Sequence, residues 1–253
     1  MNIDNAQSIT DVCAQHGTKI ALQLSGGRDS LVVWSVLRDM GLLDTVTVYW
    51  VNTGNAFPET LAIIEQVKAQ SPHFVEIAGR QPEVIAIFGM PTDLLGRNCT
   101  PIGLMCGQGA VHMQDSYSCC GRVIMQPLHE RMLADGITLI IRGQREQDSH
   151  KAPLKSGDTE AGIQYLFPIE DWTDEAVEEH LAQSGLPRHP CYDFMTSTPD
   201  CMTCSGWWEE KRGAFLKAHH PEAWAEYQRR LELIRASTER LIQSFNIEFG
   251  DDL

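Results

Sequence analysis

A short glycine turn between two apolar segments constrains the fold of this chain more than any other feature of its sequence. The turn is Ser25-Gly26-Gly27-Arg28-Asp29-Ser30; residues 20–24 before it are typical of a buried strand, and residues 31–37 after it are typical of a helix. A strand that leads into a helix N-terminus directs backbone N–H groups and the positive end of the helix dipole at an anion. The glycines let the backbone approach that anion closely. The sequence therefore predicts a phosphate-binding loop at residues 25–30.

The remaining sequence alternates in the same way between strand-like and helix-like segments. Strands are predicted at residues 46–51, 73–77, 138–141 and 164–167, and helices at 6–17, 29–40, 58–70, 127–135 and from Thr173 onward. This alternation predicts an α/β fold with a parallel sheet and helices on both faces. Two further segments, 78–126 and 185–206, are predicted to be long and irregular, and they contain seven of the eight cysteines.

The chain is predicted to form one large unit with an appendage. Residues 1–206 are expected to form the nucleotide-binding α/β domain, which carries both cysteine-bearing segments. Residues 207–253 are expected to be a helical C-terminal extension of the same unit, with two helices that part near His219-His220-Pro221.

Composition and charge exclude some classes of protein. No apolar run is long enough to cross a bilayer, and the N-terminus has neither the basic nor the apolar part of a signal peptide, so a cytoplasmic protein is expected. A net charge of −14 disfavours broad, charge-driven binding to nucleic acid or membranes. A local basic cluster leaves a limited nucleic-acid contact open; its members are Arg142, Arg145, Lys151 and Lys155.

Two pairs of cysteines indicate metal chemistry, because free thiols in a reducing compartment more often bind metals than form disulfides. Cys119 and Cys120 are adjacent, and Cys201 and Cys204 have the Cys-Xaa-Xaa-Cys spacing that is common among metal ligands. Adjacent side chains tend to diverge, which suits the separate iron corners of a cubane better than one tetrahedral ion. Zinc and four reduced core cysteines are the alternatives.

Several motifs, in order, resemble known families. The loop at residues 25–30 resembles the pyrophosphatase loop of the ATP pyrophosphatase (PP-loop) superfamily, whose members split ATP into AMP and pyrophosphate, although Arg28 replaces the usual Lys. Residues 51–60 resemble a segment of the phosphoadenylyl- and adenylyl-sulfate reductases, with Asn52 in place of Asp. Gly143-Gln144-Arg145 is similar to the Gly-Xaa-Arg loop of that family, and residues 167–177 and 185–193 continue the resemblance.

The resemblance implies a Rossmann-like fold of the adenine nucleotide alpha hydrolase type and a set of site residues. The implied catalytic residues are Arg28, Asp29 and Arg145. The implied nucleotide-binding residues are Ser25, Gly26, Gly27, Asp29, Ser30, Thr53, Gly54, Gly143 and Arg145. ATP and Mg²⁺ are the implied ligands, with Mg²⁺ near Asp29, although Asp29 could equally be a helix N-terminal carboxylate. The cysteine pairs resemble the 4Fe–4S site of adenylyl-sulfate reductases, with Cys119, Cys120, Cys201 and Cys204 as ligands.

Two departures from the reductases favour an enzyme that consumes ATP. Reductases attack sulfur with a cysteine near the C-terminus, and residues 205–253 contain none; the phosphate loop also keeps the form found in enzymes that cleave ATP. The leading hypothesis is an ATP pyrophosphatase that adenylates an oxygen for sulfur insertion. DNA phosphorothioation is favoured over tRNA thiolation, with a cysteine desulfurase and other sulfur-modification proteins as partners.

Two other functions stay open. One is a genuine sulfonucleotide reductase that uses Cys99, Cys106, Cys191 or the thiol of another protein. The other is a non-catalytic nucleotide and redox sensor that has kept the loop and the cluster.

Overall fold

A computed structural model describes residues 3–107, 111–149 and 151–250. The chain divides into two compact units. The first consists of Met1–Asn52, Ala56–Ala78 and Pro127–Tyr192, and the second of Thr53–Asn55, Gly79–Gln126 and Asp193–Leu253. The expected boundary after residue 206 lies inside the second unit and stays a prediction. Residues 251–253 of the expected C-terminal extension lie outside the described residues, as do Met1 and Asn2.

The described residues form helices and strands in regular alternation at first and in shorter pieces later. The helices are α1 (Ile3–His16), α2 (Arg28–Asp39), α3 (Pro58–Ala69), α4 (Gln81–Phe88), α5 (Pro101–Met105), α6 (Ser116–Cys120), α7 (Gln126–Ala134), α8 (Asp174–Gln183), α9 (Gly213–His219) and α10 (Pro221–Phe249). The strands are β1 (Ile20–Leu24), β2 (Val46–Asn52), β3 (Phe74–Ala78), β4 (Met90–Thr92), β5 (Met113–Asp115), β6 (Leu139–Ile141), β7 (Thr159–Glu160) and β8 (Ile163–Leu166).

The first unit is built on a six-stranded sheet in the order β3-β2-β1-β6-β8-β7. Five strands are parallel, and β7 pairs antiparallel with β8 at the edge, which the sequence does not predict because β7 has only two residues. Ile20, Leu22 and Leu24 point to one face, where they pack in a core with α1, α2, α3 and α8. Ala21 points to the other face, in a core with Met132 of α7. Helices therefore cover both faces, and the predicted α/β fold is confirmed.

The second unit contains a small parallel sheet of β4 and β5. Its core joins Met90, Cys99 and Met113 to Ile234 of α10. The prediction of a long irregular segment at 78–126 was wrong, because α4, α5, α6, β4 and β5 all lie within it. Helices of five residues and strands of three are too short to produce a clear periodicity. The two helices predicted around His219-His220-Pro221 are confirmed as α9 and α10. Among the described helices, none is both long and apolar enough to cross a membrane.

An ion-pair network on α10 makes the second unit sensitive to acid. Glu226 accepts hydrogen bonds from Arg229 at 2.7 Å and from Arg230 at 2.7 Å, and Arg230 also donates to the Thr203 carbonyl at 2.8 Å. The hydrogen bond from Arg229 is the main cause that lowers the pKa of Glu226 from 4.5 to about 2. A lowered folded-state pKa gives stability that is present above pH 4.5 and is lost as the pH falls through about 2.

We expect Glu226→Gln to remove this part of the acid dependence. Because Glu226 is about one-third exposed, solvent screening limits the effect to on the order of 1 kcal/mol. Urea unfolding at pH 6 should show the variant destabilised, and the difference should shrink as the pH is lowered toward 2. Glu232→Gln is the matched control, since Glu232 is exposed on the same helix and makes no ion pair with a described residue. An equal loss of stability in both variants at pH 6 would contradict the prediction.

Candidate functional site

The sheet of the first unit has a topological switch point between β1 and β6. The chain leaves β1 toward β2 on one side and reaches β6 on the other side, so the loops that follow these two strands diverge. In open α/β sheets, ligands bind at this position, beyond the carboxyl ends of the strands. The predicted phosphate-binding loop follows β1, and the predicted Gly143–Arg145 loop follows β6.

The loop after β1 is held in shape by its own hydroxyl groups. The Ser25 N–H donates to Ser30 Oγ at 3.3 Å, the two serine Oγ atoms lie 3.1 Å apart, and Ser30 Oγ donates to the Gly27 carbonyl at 2.9 Å. Gly26 has φ +87°, a conformation that favours glycine. Gly27 caps α2 without a side chain, so the first N–H groups of this 12-residue helix have no intrahelical acceptor.

Gly143 brings the loop after β6 against the start of α2. A Cβ atom at Gly143 would lie 2.7 Å from the Asp29 carbonyl carbon and 2.8 Å from the Ser30 nitrogen. Only glycine permits this approach of two backbones. Residues of both predicted loops are therefore brought together within the first unit.

Arg28 and Arg145 are neutralised by carboxylates. Arg145 is 4% exposed and places Nε 2.9 Å from Asp29 Oδ1 and Nη1 3.0 Å from Asp174 Oδ1. Arg28 donates to Glu178 at 3.0 Å and to the same Asp174 Oδ1. The Arg28 side chain is thus directed to α8, and its role as a phosphate ligand stays a prediction.

Asp29 lies between the two arginines. Burial raises the pKa of the Asp29 carboxyl, and the charges of Arg145 and Arg28 oppose this rise only in part. Asp29 Oδ1 and the Nε atoms of both arginines are buried and make no aligned hydrogen bond with a described residue, although Asp29 Oδ1 is in ion-pair contact with Arg145. A cation beside the carboxylate and an anion beside the guanidinium groups would satisfy these atoms, so the residues fit a magnesium–phosphate ligand.

Thr53 and Gly54 belong to the second unit, where their contacts are structural. Thr53 is buried, accepts a hydrogen bond from the Gln81 N–H at its carbonyl at 2.8 Å, and donates from Oγ1 to the Asp200 carbonyl at 3.2 Å. Gly54 has φ +76°. Their predicted contact with a nucleotide stays a prediction.

The four predicted cluster ligands lie in the second unit on two segments. Cys119 and Cys120 end α6 and are followed by a π-helical turn, Gly121–Met125. Cys201 and Cys204 lie in a loop that Asn55 holds by accepting hydrogen bonds from the Thr203 N–H at 2.8 Å and hydroxyl at 2.9 Å. Arg212 is buried and donates to the Cys201 carbonyl at 3.0 Å, which further fixes this loop.

Asp93 connects the two cysteine-bearing segments. Its carboxylate accepts hydrogen bonds from the Trp207 N–H at 2.7 Å and the Trp208 N–H at 2.8 Å, just beyond Cys204. It also accepts one from the hydroxyl of Ser116, the first residue of α6. The residue that organises the cysteine segments is thus an aspartate that lies in neither motif.

The thiols of the two pairs interact electrostatically. Burial is the main cause that raises the pKa of Cys119 to about 12 and that of Cys120 to about 11, and the Cys204 thiol contributes to both of these rises. The pKa of Cys201 is raised for the same two reasons. Among the described residues, no three His, Cys, Asp or Glu side chains are arranged to hold one metal ion. Iron–sulfur clusters are bound by cysteine sulfur atoms, so the four thiols on these two segments are suitable ligands in their chemistry. The cluster and the zinc alternative both stay predictions.

The remaining four cysteines differ in exposure. Cys13, Cys99 and Cys191 are buried, whereas Cys106 is exposed.

The predicted basic cluster lies only partly at the surface. Arg145 is buried in ion pairs, whereas Lys151 and Lys155 are exposed. A nucleic-acid contact there stays a prediction.

Comparison with known proteins identifies the family. A model described as the phosphoadenosine phosphosulfate reductase domain matches residues 19–207. The chain belongs to this family. Among similar proteins, an adenosine 5'-phosphosulfate reductase of Rhizobium meliloti (strain 1021) is 27% identical over 194 residues, which cover 70% of this chain and 68% of that protein. A reductase of the same name from Rhizobium tropici is 27% identical over 192 residues, which cover 69% of this chain and 99% of that protein.

Relatives that are named for phosphoadenosine 5'-phosphosulfate are also similar to this chain. A phosphoadenosine 5'-phosphosulfate reductase of Gloeobacter violaceus is 25% identical over 183 residues, which cover 70% of this chain and 67% of that protein. The crystal structure of phosphoadenylyl-sulfate reductase from Candida auris, a phosphate complex, superposes on this chain with a TM-score of 0.50 and 14% sequence identity. The superposed part covers 79% of this chain and 96% of the Candida auris chain. This likeness shows the fold. The predicted family and fold are confirmed.

The sequence does not predict the side chains from α8 and Tyr192 that contact Arg28. Asp174 and Glu178 lie in α8, and no local feature of the sequence links them to the loop after β1. The Tyr192 hydroxyl accepts a hydrogen bond from the Arg28 N–H at 2.8 Å, and the Arg28 guanidinium lies 5.3 Å from the centre of the Tyr192 ring. The resemblance at residues 167–177 and 185–193 was the only signal that could have indicated these residues.

Proposed function

We propose that this chain binds an adenine sulfonucleotide in the first unit and releases sulfite from it. The family match over residues 19–207 is the observation that carries this proposal, because the matching relatives are named for adenylyl-sulfate and phosphoadenylyl-sulfate reduction. The contact of Gly143 with the start of α2 supports it, since this contact places two loops at the position where α/β sheets bind ligands.

The chemistry assigns distinct tasks to the chain and to a reductant. The N-terminus of α2 would hold the nucleotide phosphate, and Arg28 and Arg145 would offset its charge. A thiolate takes the sulfuryl group from the phosphate oxygen, and the nucleotide leaves as its phosphate anion. A dithiol protein then reduces the thiosulfonate, so that sulfite leaves and a disulfide forms with two electrons from the dithiol. Cys106 is the exposed thiol among the described residues, whereas Cys99 and Cys191 are buried.

Consumption of ATP is the second candidate function. The observation that favours it is Asp29, whose buried oxygen lacks an aligned hydrogen bond beside two arginines and could bind Mg²⁺ between two phosphates. The chain would then adenylate an oxygen of a nucleic acid, with DNA phosphorothioation as the favoured case, and a cysteine desulfurase would supply sulfur. A 4Fe–4S cluster on Cys119, Cys120, Cys201 and Cys204, when bound, would hold or pass that sulfur.

One set of assays separates these functions. Protein purified without oxygen is incubated with adenylyl sulfate or phosphoadenylyl sulfate and thioredoxin, and in parallel with ATP and Mg²⁺. We expect sulfite from at least one sulfonucleotide. We expect Asp29→Asn to lower the rate by about a hundredfold, because Arg145 loses the carboxylate that holds it in position. Pyrophosphate and AMP from ATP, without sulfite, would support the second candidate instead. Tight nucleotide binding without any product would indicate a sensor and reject both.

A further inference from the structure

Arg142 is a cation without a counter-ion at the switch point of the sheet. It follows the last residue of β6, and its N–H donates to the Leu166 carbonyl at 3.1 Å, which extends the β6–β8 ladder by one residue. Within the described residues, no carboxylate or carbonyl accepts a hydrogen bond or forms an ion pair with its guanidinium group. Arg28, Arg145 and Arg188 in the same unit are all ion-paired. Burial lowers the pKa of Arg142, and only Tyr165 opposes this electrostatically.

Gln23 lies beside Arg142 on the neighbouring strand. The register pairs Leu22 with Ile141, so Gln23 of β1 is opposite Arg142. Among the described residues, the hydrogen-bond partner of its amide nitrogen is the Met132 sulfur at 3.6 Å, which is a weak acceptor. Gln23 therefore has an amide group that can turn to donate to a ligand.

Both side chains are on the face of the sheet opposite α2. Side chains alternate along a strand, so Gln23 shares the face of Ala21, and Arg142 shares the face of Ile140. Ala21 and Ile140 belong to the core with α7, whereas α2 packs on the other face. The carboxyl ends of β1 and β6 thus present anion-binding groups on two sides, with the α2 N-terminus on one and the Gln23–Arg142 pair on the other.

We infer that Gln23 and Arg142 bind a second anionic group of the adenine nucleotide, separate from the phosphate at the α2 N-terminus. This inference rests on the proposed nucleotide site. A half-buried guanidinium group without a partner among the described residues is unfavourable in the free protein, and an anionic ligand supplies the missing charge. The ligand class is an adenine nucleotide with two anionic groups, either along one 5'-chain or on separate positions of the ribose.

Binding of three nucleotides tests this inference without any turnover. Calorimetry compares AMP, ADP and adenosine 3',5'-bisphosphate for the native chain and Arg142→Met. We expect the native chain to bind ADP or the bisphosphate more tightly than AMP, and Arg142→Met to lose about tenfold or more of that affinity with little change for AMP. A loss confined to ADP would place the group on the 5'-chain, and a loss confined to the bisphosphate would place it on the ribose. Arg142→Lys should restore part of the affinity.

Thermal unfolding separates a binding role from a structural one. Because Arg142 is a half-buried charge without a partner, Arg142→Met should leave the melting temperature unchanged or raise it. Arg131→Met is the control, since the Arg131 side chain is exposed on α7 and pairs with Asp135. A lowered melting temperature, an equal loss of affinity for AMP, or no loss for any nucleotide would overturn the inference. If the native chain binds these nucleotides but forms no product, the proposed function fails while the inference stands.

Discussion

Replacing Gly143 with alanine should nearly abolish nucleotide-dependent turnover and destabilise the first unit. The added Cβ would lie 2.7 Å from the carbonyl carbon and 2.8 Å from the carbonyl oxygen of Asp29. These are backbone atoms that cannot rotate away, so the two loops must separate. Overpacking of this kind lowers the free energy of unfolding by about 1–3 kcal/mol. A displacement of about 1 Å in a reacting geometry lowers the rate by roughly a hundredfold.

Gly121→Ala is the matched control for this substitution. A Cβ at Gly121 would meet no atom within 4 Å, and the residue has a helical conformation in the π-helical turn. Alanine there should leave the free energy of unfolding unchanged or raise it by about 0.5–1 kcal/mol. Urea unfolding and the sulfite and pyrophosphate assays measure both variants. Full turnover in Gly143→Ala would show that the contact between the two loops is not required.

Replacing Cys201 with serine should remove the proposed cluster. Protein purified without oxygen is expected to be brown, with broad absorption at about 400 nm. Cys201 interacts electrostatically with Cys204 of its own pair and with Cys120 of the other pair, so we expect the cluster to depend on it. We expect Cys201→Ser to lose most of its iron and its colour.

Cys106→Ser is the control for cluster loss. Cys106 is exposed and belongs to neither cysteine pair, so this variant should keep its iron and its absorption. Iron and zinc analysis by mass spectrometry accompanies the spectra. A colourless native protein that contains zinc would reject the cluster and support the alternative that the sequence left open.

The loop after β1 could be predicted from sequence because its pattern is local. An apolar strand, two glycines and a largely apolar helix lie within about 20 residues, and each part indicates the same geometry. The environment of Arg28 could not be predicted in this way. Its partner Glu178 lies 150 residues further along the chain, so the contact depends on how α8 packs against α2. The resemblance indicates the segment, but only the folded structure shows which carboxylates reach Arg28.

The second unit was harder to predict for a different reason. The cysteine spacings indicate that the two pairs act together, and the electrostatic coupling of Cys119 and Cys201 with Cys204 agrees with this. The scaffold that brings them together consists of elements with three to five residues. Asp93 connects both segments by accepting hydrogen bonds from Ser116, Trp207 and Trp208, and no sequence motif indicates this role.

The position of Asp174 beside two arginines affects which ligands can bind at the loop after β1. One carboxylate oxygen contacts the guanidinium groups of both Arg28 and Arg145. A phosphate that takes the place of this oxygen exchanges one anion for another. A singly charged ligand gains little from that exchange, whereas a ligand of higher charge gains more. We therefore expect the proposed phosphate site to select by ligand valence, and a released Asp174 would keep a favourable position at the N-terminus of α8.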